Sequence, residues 1–133
     1  MSRAPDVHDR SVEKAYLDKK LTLWKQRLGL GGWVVTLTFS KQSDLRPGTL
    51  GNIHWDPDNK TAEIRVLDSP NEERLTAAEL LGMEDTIVHE LVHLELSALP
   101  KTDASRTDEE FAVNRLAAAL LELDRKDSAA SLP

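Results

Sequence analysis

Residues 86–94 read Thr86-Ile87-Val88-His89-Glu90-Leu91-Val92-His93-Leu94, a His-Glu-x-x-His sequence in a run without glycine or proline between Gly82 and Pro100. Such a run is expected to be helical. Residues four apart on a helix share a face, so the imidazoles of His89 and His93 stand side by side, near enough to hold one metal ion. Glu90 lies beside that face, placed to act on a water rather than to serve as a ligand. The helix is expected over about 83–99, stopped by Pro100. Ile87, Val88, Leu91, Val92, Leu94, Leu96 and Leu99 make it apolar almost all round, which predicts a helix buried through the centre of the domain.

Working outward, Val12, Tyr16, Leu17, Leu21, Trp24 and Leu28 recur at steps of three and four, with Glu13, Lys14, Lys19, Lys20 and Lys25 on the other side. This is an amphipathic N-terminal helix, with Ser11 as its cap and Gly29 as its stop. Three β-compatible runs follow, at 33–39, 50–55 and 61–67, the last two forming a hairpin around the Asp56-Pro57-Asp58-Asn59-Lys60 cluster. Ser69-Pro70 reads as a helix or turn start, and Gly82 separates a helix-compatible stretch at 76–81 from the central helix. A last helix, beginning at Thr107 or Asp108 and reaching about Lys126, offers Phe111, Val113, Leu116, Ala117, Leu120, Leu121 and Leu123 to the core. Trp24, Trp33 and Trp55 are expected in the core. Residues 101–106 form a loop, and residues 1–10 and 127–133 form flexible tails. The expected class is α+β: a single domain over 1–133, with a small three-stranded twisted sheet between an N-terminal helix and two further helices.

Composition limits what such a domain does. The 133 residues suit one modest core. The net charge of -6, with no basic block, argues against nucleic acid as a partner. The absence of cysteine excludes disulfides and thiolate metal sites, so a metal centre must be built from His, Asp and Glu. Neither a signal-peptide core nor a membrane-spanning run is present in the sequence, and a soluble, cytoplasmic protein is expected.

Two imidazoles leave a zinc ion short of ligands, and Glu109 and Glu110 are the candidates for the third. Both have another explanation, because Thr107-Asp108-Glu109-Glu110 fits a capping box and acidic residues favour a helix N-terminus. The residues that follow favour Glu110 as the ligand. Asn114, four positions on, shares its face and offers an oxygen to the free ring nitrogen of a ligand histidine, whereas the same step from Glu109 reaches Val113.

Taken together, residues 86–94 and the segment Glu110-Phe-Ala-Val-Asn114-Arg-Leu-Ala-Ala-Ala-Leu-Leu121 resemble the gluzincin zinc metallopeptidases, and most closely the small bacterial and phage ImmA/IrrE-type enzymes. Val92 stands where that family commonly has glycine, Val113 replaces an alanine, Leu116 replaces an aromatic, and the Met-Pro that often follows the leucines is absent. The resemblance implies a minimal zincin-like domain with one Zn2+ held by His89, His93 and Glu110. It also implies that an extended peptide or protein substrate pairs with a sheet edge beside the metal. Strand 61–67, with Glu63, Ile64 and Arg65 at its centre, is the expected edge.

The expected chemistry is endopeptidase hydrolysis, with Glu90 as general base and then general acid. His54 on the hairpin, and after it Tyr16, are candidates to stabilise the tetrahedral intermediate. Two other classes compete with this reading: a metal-binding regulatory or adaptor module with little or no hydrolysis, and an interaction protein with no metal.

Overall fold

The computed structural model describes residues 9–100 and 105–130. Its elements are α1 (Ser11–Arg27), β1 (Val34–Ser40), a 3-10 turn (Gln42–Asp44), β2 (Gly51–Asp56), β3 (Thr61–Leu67), α2 (Ala77–Leu96) and α3 (Ser105–Ala130). Three helices and a three-stranded mixed sheet make this the expected α+β arrangement.

Helix α1 ends in a Schellman motif. Gly29 adopts a positive φ of 71°, its N–H bonds to Gln26 O, and the Leu30 N–H reaches back to Lys25 O, so the last carbonyls of the helix are satisfied. The start of α1 is held more firmly than a tail. Arg10 is buried, pairs with Asp68, and donates to the backbone carbonyls of Ser69, Asn71 and Glu73, fastening α1 to the irregular segment between β3 and α2. That segment, which includes Ser69-Pro70, is not helical. Glu13, expected on the solvent side, is also buried, where its Oε2 accepts the Leu75 N–H at 3.0 Å.

The sheet order is β1-β3-β2, with β1 parallel and β2 antiparallel to β3. Strand β3 is therefore central, which corrects the expectation that Glu63, Ile64 and Arg65 offer a free edge. Both sides of their backbone are already paired, Glu63 with Thr36 and His54, Ile64 with Leu37 and Ile53, and Arg65 with Thr38 and Asn52. The edges are β1 and β2. One face of the sheet supplies Leu37, Ala62, Ile64 and Val66 to the core, while the other carries Val34, Thr36, Thr38, Thr61 and His54 in the open.

Helix α2 starts at a capping box in which Thr76 Oγ1 accepts from the Glu79 N–H and the Glu79 carboxylate accepts from the Thr76 N–H. It runs unbroken through Gly82 and stops at Leu96, ahead of the exposed Leu99. It packs between α1 and α3 and lies on β2 and β3. Ile87, Val88 and Leu91 are fully shielded from solvent, as expected of a central helix. The three helices are also tied by a buried polar joint, in which Trp24 of α1 donates its indole N–H to Glu84 of α2 at 2.8 Å, and Arg125 of α3 lies 3.8 Å from the same carboxylate. Trp24 is thus a core residue, Trp33 is partly buried against the core, and Trp55 is exposed.

Helix α3 begins at Ser105 and continues through Ala130, so residues 127–130 are helical rather than tail. The remaining expected tail residues, 1–8 and 131–133, lie outside the described residues, as do 101–104 of the expected loop. Among the described residues no helix is long and apolar enough to cross a membrane.

Candidate metal centre

Val113, Ala117 and Leu121 form the buried stripe by which α3 meets the core, and Glu110 extends this stripe by one turn towards α2. Since α3 starts at Ser105, Thr107 lies inside the helix, and the capping-box explanation of Glu110 does not apply.

The stripe brings Glu110 over the two histidines. Its Oε1 is 3.0 Å from His89 Nε2 and its Oε2 is 3.1 Å from His93 Nε2. The two imidazoles meet edge to face with centroids 4.9 Å apart. Among the described residues His89, His93 and Glu110 form a group able to hold a metal ion, each with one ligand atom within 4.8 Å of the others. The spacing suits a small divalent cation, because ligands about 2.0–2.1 Å from a tetrahedral centre stand roughly 3.3 Å apart. The donor types suit one as well, two imidazole nitrogens and a carboxylate without a thiolate.

Electrostatics favour the metal-binding form of His89. Burial lowers the His89 pKa, and the neighbouring His93 lowers it further, against an opposing pull from Glu110. The shift favours the neutral ring, the form that has a lone pair for a cation. Glu90 is buried beside the group, and its pKa is pushed up to about 7, chiefly by loss of solvation, with His93 opposing and Glu110 reinforcing the rise. A carboxyl poised near neutrality can both take and return a proton in that pH range.

Glu109, the other candidate for the third ligand, meets the histidines at a different nitrogen. Its Oε2 lies 2.9 Å from His93 Nδ1, with only a fifth of the side chain exposed. Asn114, expected in that role, is exposed and makes no hydrogen bond to either imidazole. Stepping one turn along the face of Glu110 gives Asn114 this role and not Glu109. The available signal was the position of Glu109 beside the ligand, from which a glutamate reaches the flank of the same ring.

Two further expectations are corrected. His54 pairs with Glu63 on the sheet face turned away from Ile53, Ile64 and α2, so the sheet itself separates it from the metal group. Tyr16 sits partly exposed on α1 with Lys20 Nζ 5.6 Å from its ring centroid, and it does not join the group.

The edge strand that does lie against the central helix is β2. The Leu67 N–H bonds to Leu50 O. Alternation along an antiparallel ladder then turns the backbone groups of Asn52 and His54 towards β3, and those of Gly51, Ile53 and Trp55 outward.

Fold and donor set together define an α+β protein with a candidate divalent-metal centre on two helices. Comparison with protein-family models, with curated proteins and with solved structures returned no match.

Proposed function

We propose that this chain is a zinc-dependent metallopeptidase of the gluzincin type, cutting within peptide chains. The observation that carries the reading is the convergence of His89, His93 and Glu110 with the buried Glu90 carboxyl alongside. An ion held by two imidazoles and one carboxylate keeps an exchangeable position and supplies Lewis acidity, polarising a carbonyl and bringing the pKa of water towards neutrality.

The chain's own groups supply the remaining steps. The Glu90 carboxylate accepts the proton of the attacking water and returns it to the amine nitrogen as the peptide C–N bond breaks. In the metal-free protein burial already brings this carboxyl to about 7, within the range where it exchanges a proton. Strand β2 offers the outward N–H and C=O groups of Gly51, Ile53 and Trp55 to an extended substrate, which would add to the sheet as a further strand. This edge takes the place expected of Glu63, Ile64 and Arg65. The partner is thus a peptide or an unfolded protein segment.

The test is cleavage of a broad peptide library by zinc-loaded wild type and Glu90→Gln, read by mass spectrometry. Wild type is expected to cleave, and Glu90→Gln to bind zinc equally well while losing two to four orders of magnitude in rate. Zinc binding without cleavage of any peptide would support the regulatory or adaptor module instead. Failure of reconstituted wild type to bind zinc at all would end both metal readings.

A further inference from the structure

We propose that Glu109 is a positioning residue of the metal centre, holding the His93 ring in the tautomer and rotation that present Nε2 to the ion. This inference rests on the metal-binding reading above. The evidence is a clamp on one ring by two consecutive residues of α3: Glu109 Oε2 at 2.9 Å from Nδ1 and Glu110 Oε2 at 3.1 Å from Nε2.

An ionised carboxylate only accepts hydrogen bonds, so in the pair with Glu109 the proton belongs to Nδ1. With Nδ1 holding its proton towards Glu109, Nε2 is the nitrogen left to give a lone pair to an ion, in place of its 3.1 Å contact with Glu110. The pair is partly shielded, with the His93 and Glu109 side chains 18% and 20% exposed, so water competes weakly for the bond. The negative charge at Nδ1 also makes the ring a stronger donor to a cation.

The helix accounts for the division of labour. Consecutive side chains diverge by about 100° around the axis, so Glu110 follows the stripe facing α2 while Glu109 comes to the flank of the ring. One docking event therefore sets both the ligand and the group that orients its neighbour. His89 is held differently: among the described residues its ring has a carboxylate partner only at Nε2, where Glu110 lies 3.0 Å away. Loss of Glu109 should consequently alter one histidine and spare the other.

The test uses the full chain and Zn2+ itself. Zinc affinity is measured by competition with a chromophoric chelator, and the state of the histidine ring nitrogens in the zinc-loaded protein by 15N NMR. In wild type His93 is expected with its proton on Nδ1, hydrogen-bonded to Glu109, and Nε2 on the ion. Glu109→Ala should shift the His93 Nδ1 signal away from its hydrogen-bonded position, leave His89 unchanged, and weaken zinc binding about 10–100-fold. Glu109→Gln keeps an acceptor oxygen without the charge, so it should restore the hydrogen bond and part of the affinity. Asn114→Ala should bind as wild type does. Wild-type zinc affinity in Glu109→Ala would overturn the proposal, as would equal losses in both Glu109 variants with an unchanged His93 spectrum. Failure of wild type to take up zinc is a separate result, which removes the metal reading on which the inference stands.

Discussion

Gly51 on β2 lies so close to Thr86 on α2 that a Cβ at position 51 would stand 2.6 Å from Thr86 Cγ2 and 2.5 Å from the Arg65 carbonyl oxygen. The carbonyl belongs to the central strand, paired on both sides, so it has little freedom to retreat. Thr86 precedes His89 by three residues, and the same contact therefore fixes how near the edge strand comes to the helix that carries the candidate metal ligands His89 and His93. Gly51→Ala is expected to cost about 1–3 kcal/mol through overpacking. Urea denaturation measures it, and an unchanged midpoint would show that strand and helix part without strain.

Glu90 makes the metal-free protein sensitive to pH. Burial raises its folded pKa to about 7, above the value in the unfolded chain. The folded state consequently binds the proton more tightly, and the contribution to stability is full at low pH and lost as pH rises towards and through 7. Glu90→Gln should flatten this part of the stability profile between about pH 4.5 and 7. Denaturation of chelator-treated protein across that range is the measurement, and an equal slope in the variant would show that another group is responsible.

Glu13 works with the opposite sign. The Leu75 N–H holds its carboxyl below the ordinary value, with Arg74 and Arg10 adding smaller pulls against the cost of burial. Its contribution is therefore present above the ordinary carboxylate range and disappears as pH falls through the folded pKa. Glu13→Ala leaves the Leu75 N–H without this acceptor and should cost about 1–3 kcal/mol at neutral pH. The difference between wild type and variant should narrow as pH falls below the ordinary carboxylate range and through the lowered folded pKa, beneath which Glu13 is protonated in both states.

Zinc should raise the unfolding temperature. At free zinc a hundredfold above Kd the stabilisation is about 2.7 kcal/mol by mass action, a shift of several degrees. Removing one ligand, by His89→Ala or Glu110→Ala, should abolish the shift, and Glu90→Gln should retain it. Calorimetry with and without zinc gives the comparison. A full shift in Glu110→Ala would mean that the ion is held elsewhere.

The local part of this architecture is written in residue periodicity. Alternation marked the strands at 33–39 and 61–67, the turn cluster at 56–60 marked the hairpin that includes 50–55, and three-and-four spacing marked the N-terminal helix, because those patterns follow directly from the geometry of each element. The order of the strands is different in kind. A hairpin turn reveals that β2 and β3 are neighbours, yet nothing local says that β1 will return in parallel on the far side of β3 and leave β2 as the edge against α2. Gly82 was misleading for a related reason. Its propensity cost of about 1 kcal/mol suggested a break, but the Thr76 cap and the burial of the helix outweigh it. At the site, the spacing of His89 and His93 and the stripe leading to Glu110 were legible from helix geometry. The contact of Glu109 with His93 Nδ1 was not, because it depends on how a ring on another helix is turned, and Arg10 and Glu13 were hidden in a similar way by contacts distant in sequence.

Two donors ride on α2 and the third on α3, so no donor set exists until these helices dock. Ion uptake would thus report the docking of α3 onto α2. A chain in which the two helices had yet to meet would hold at most two of the three donors, and a bound ion would favour the packed tertiary structure over it.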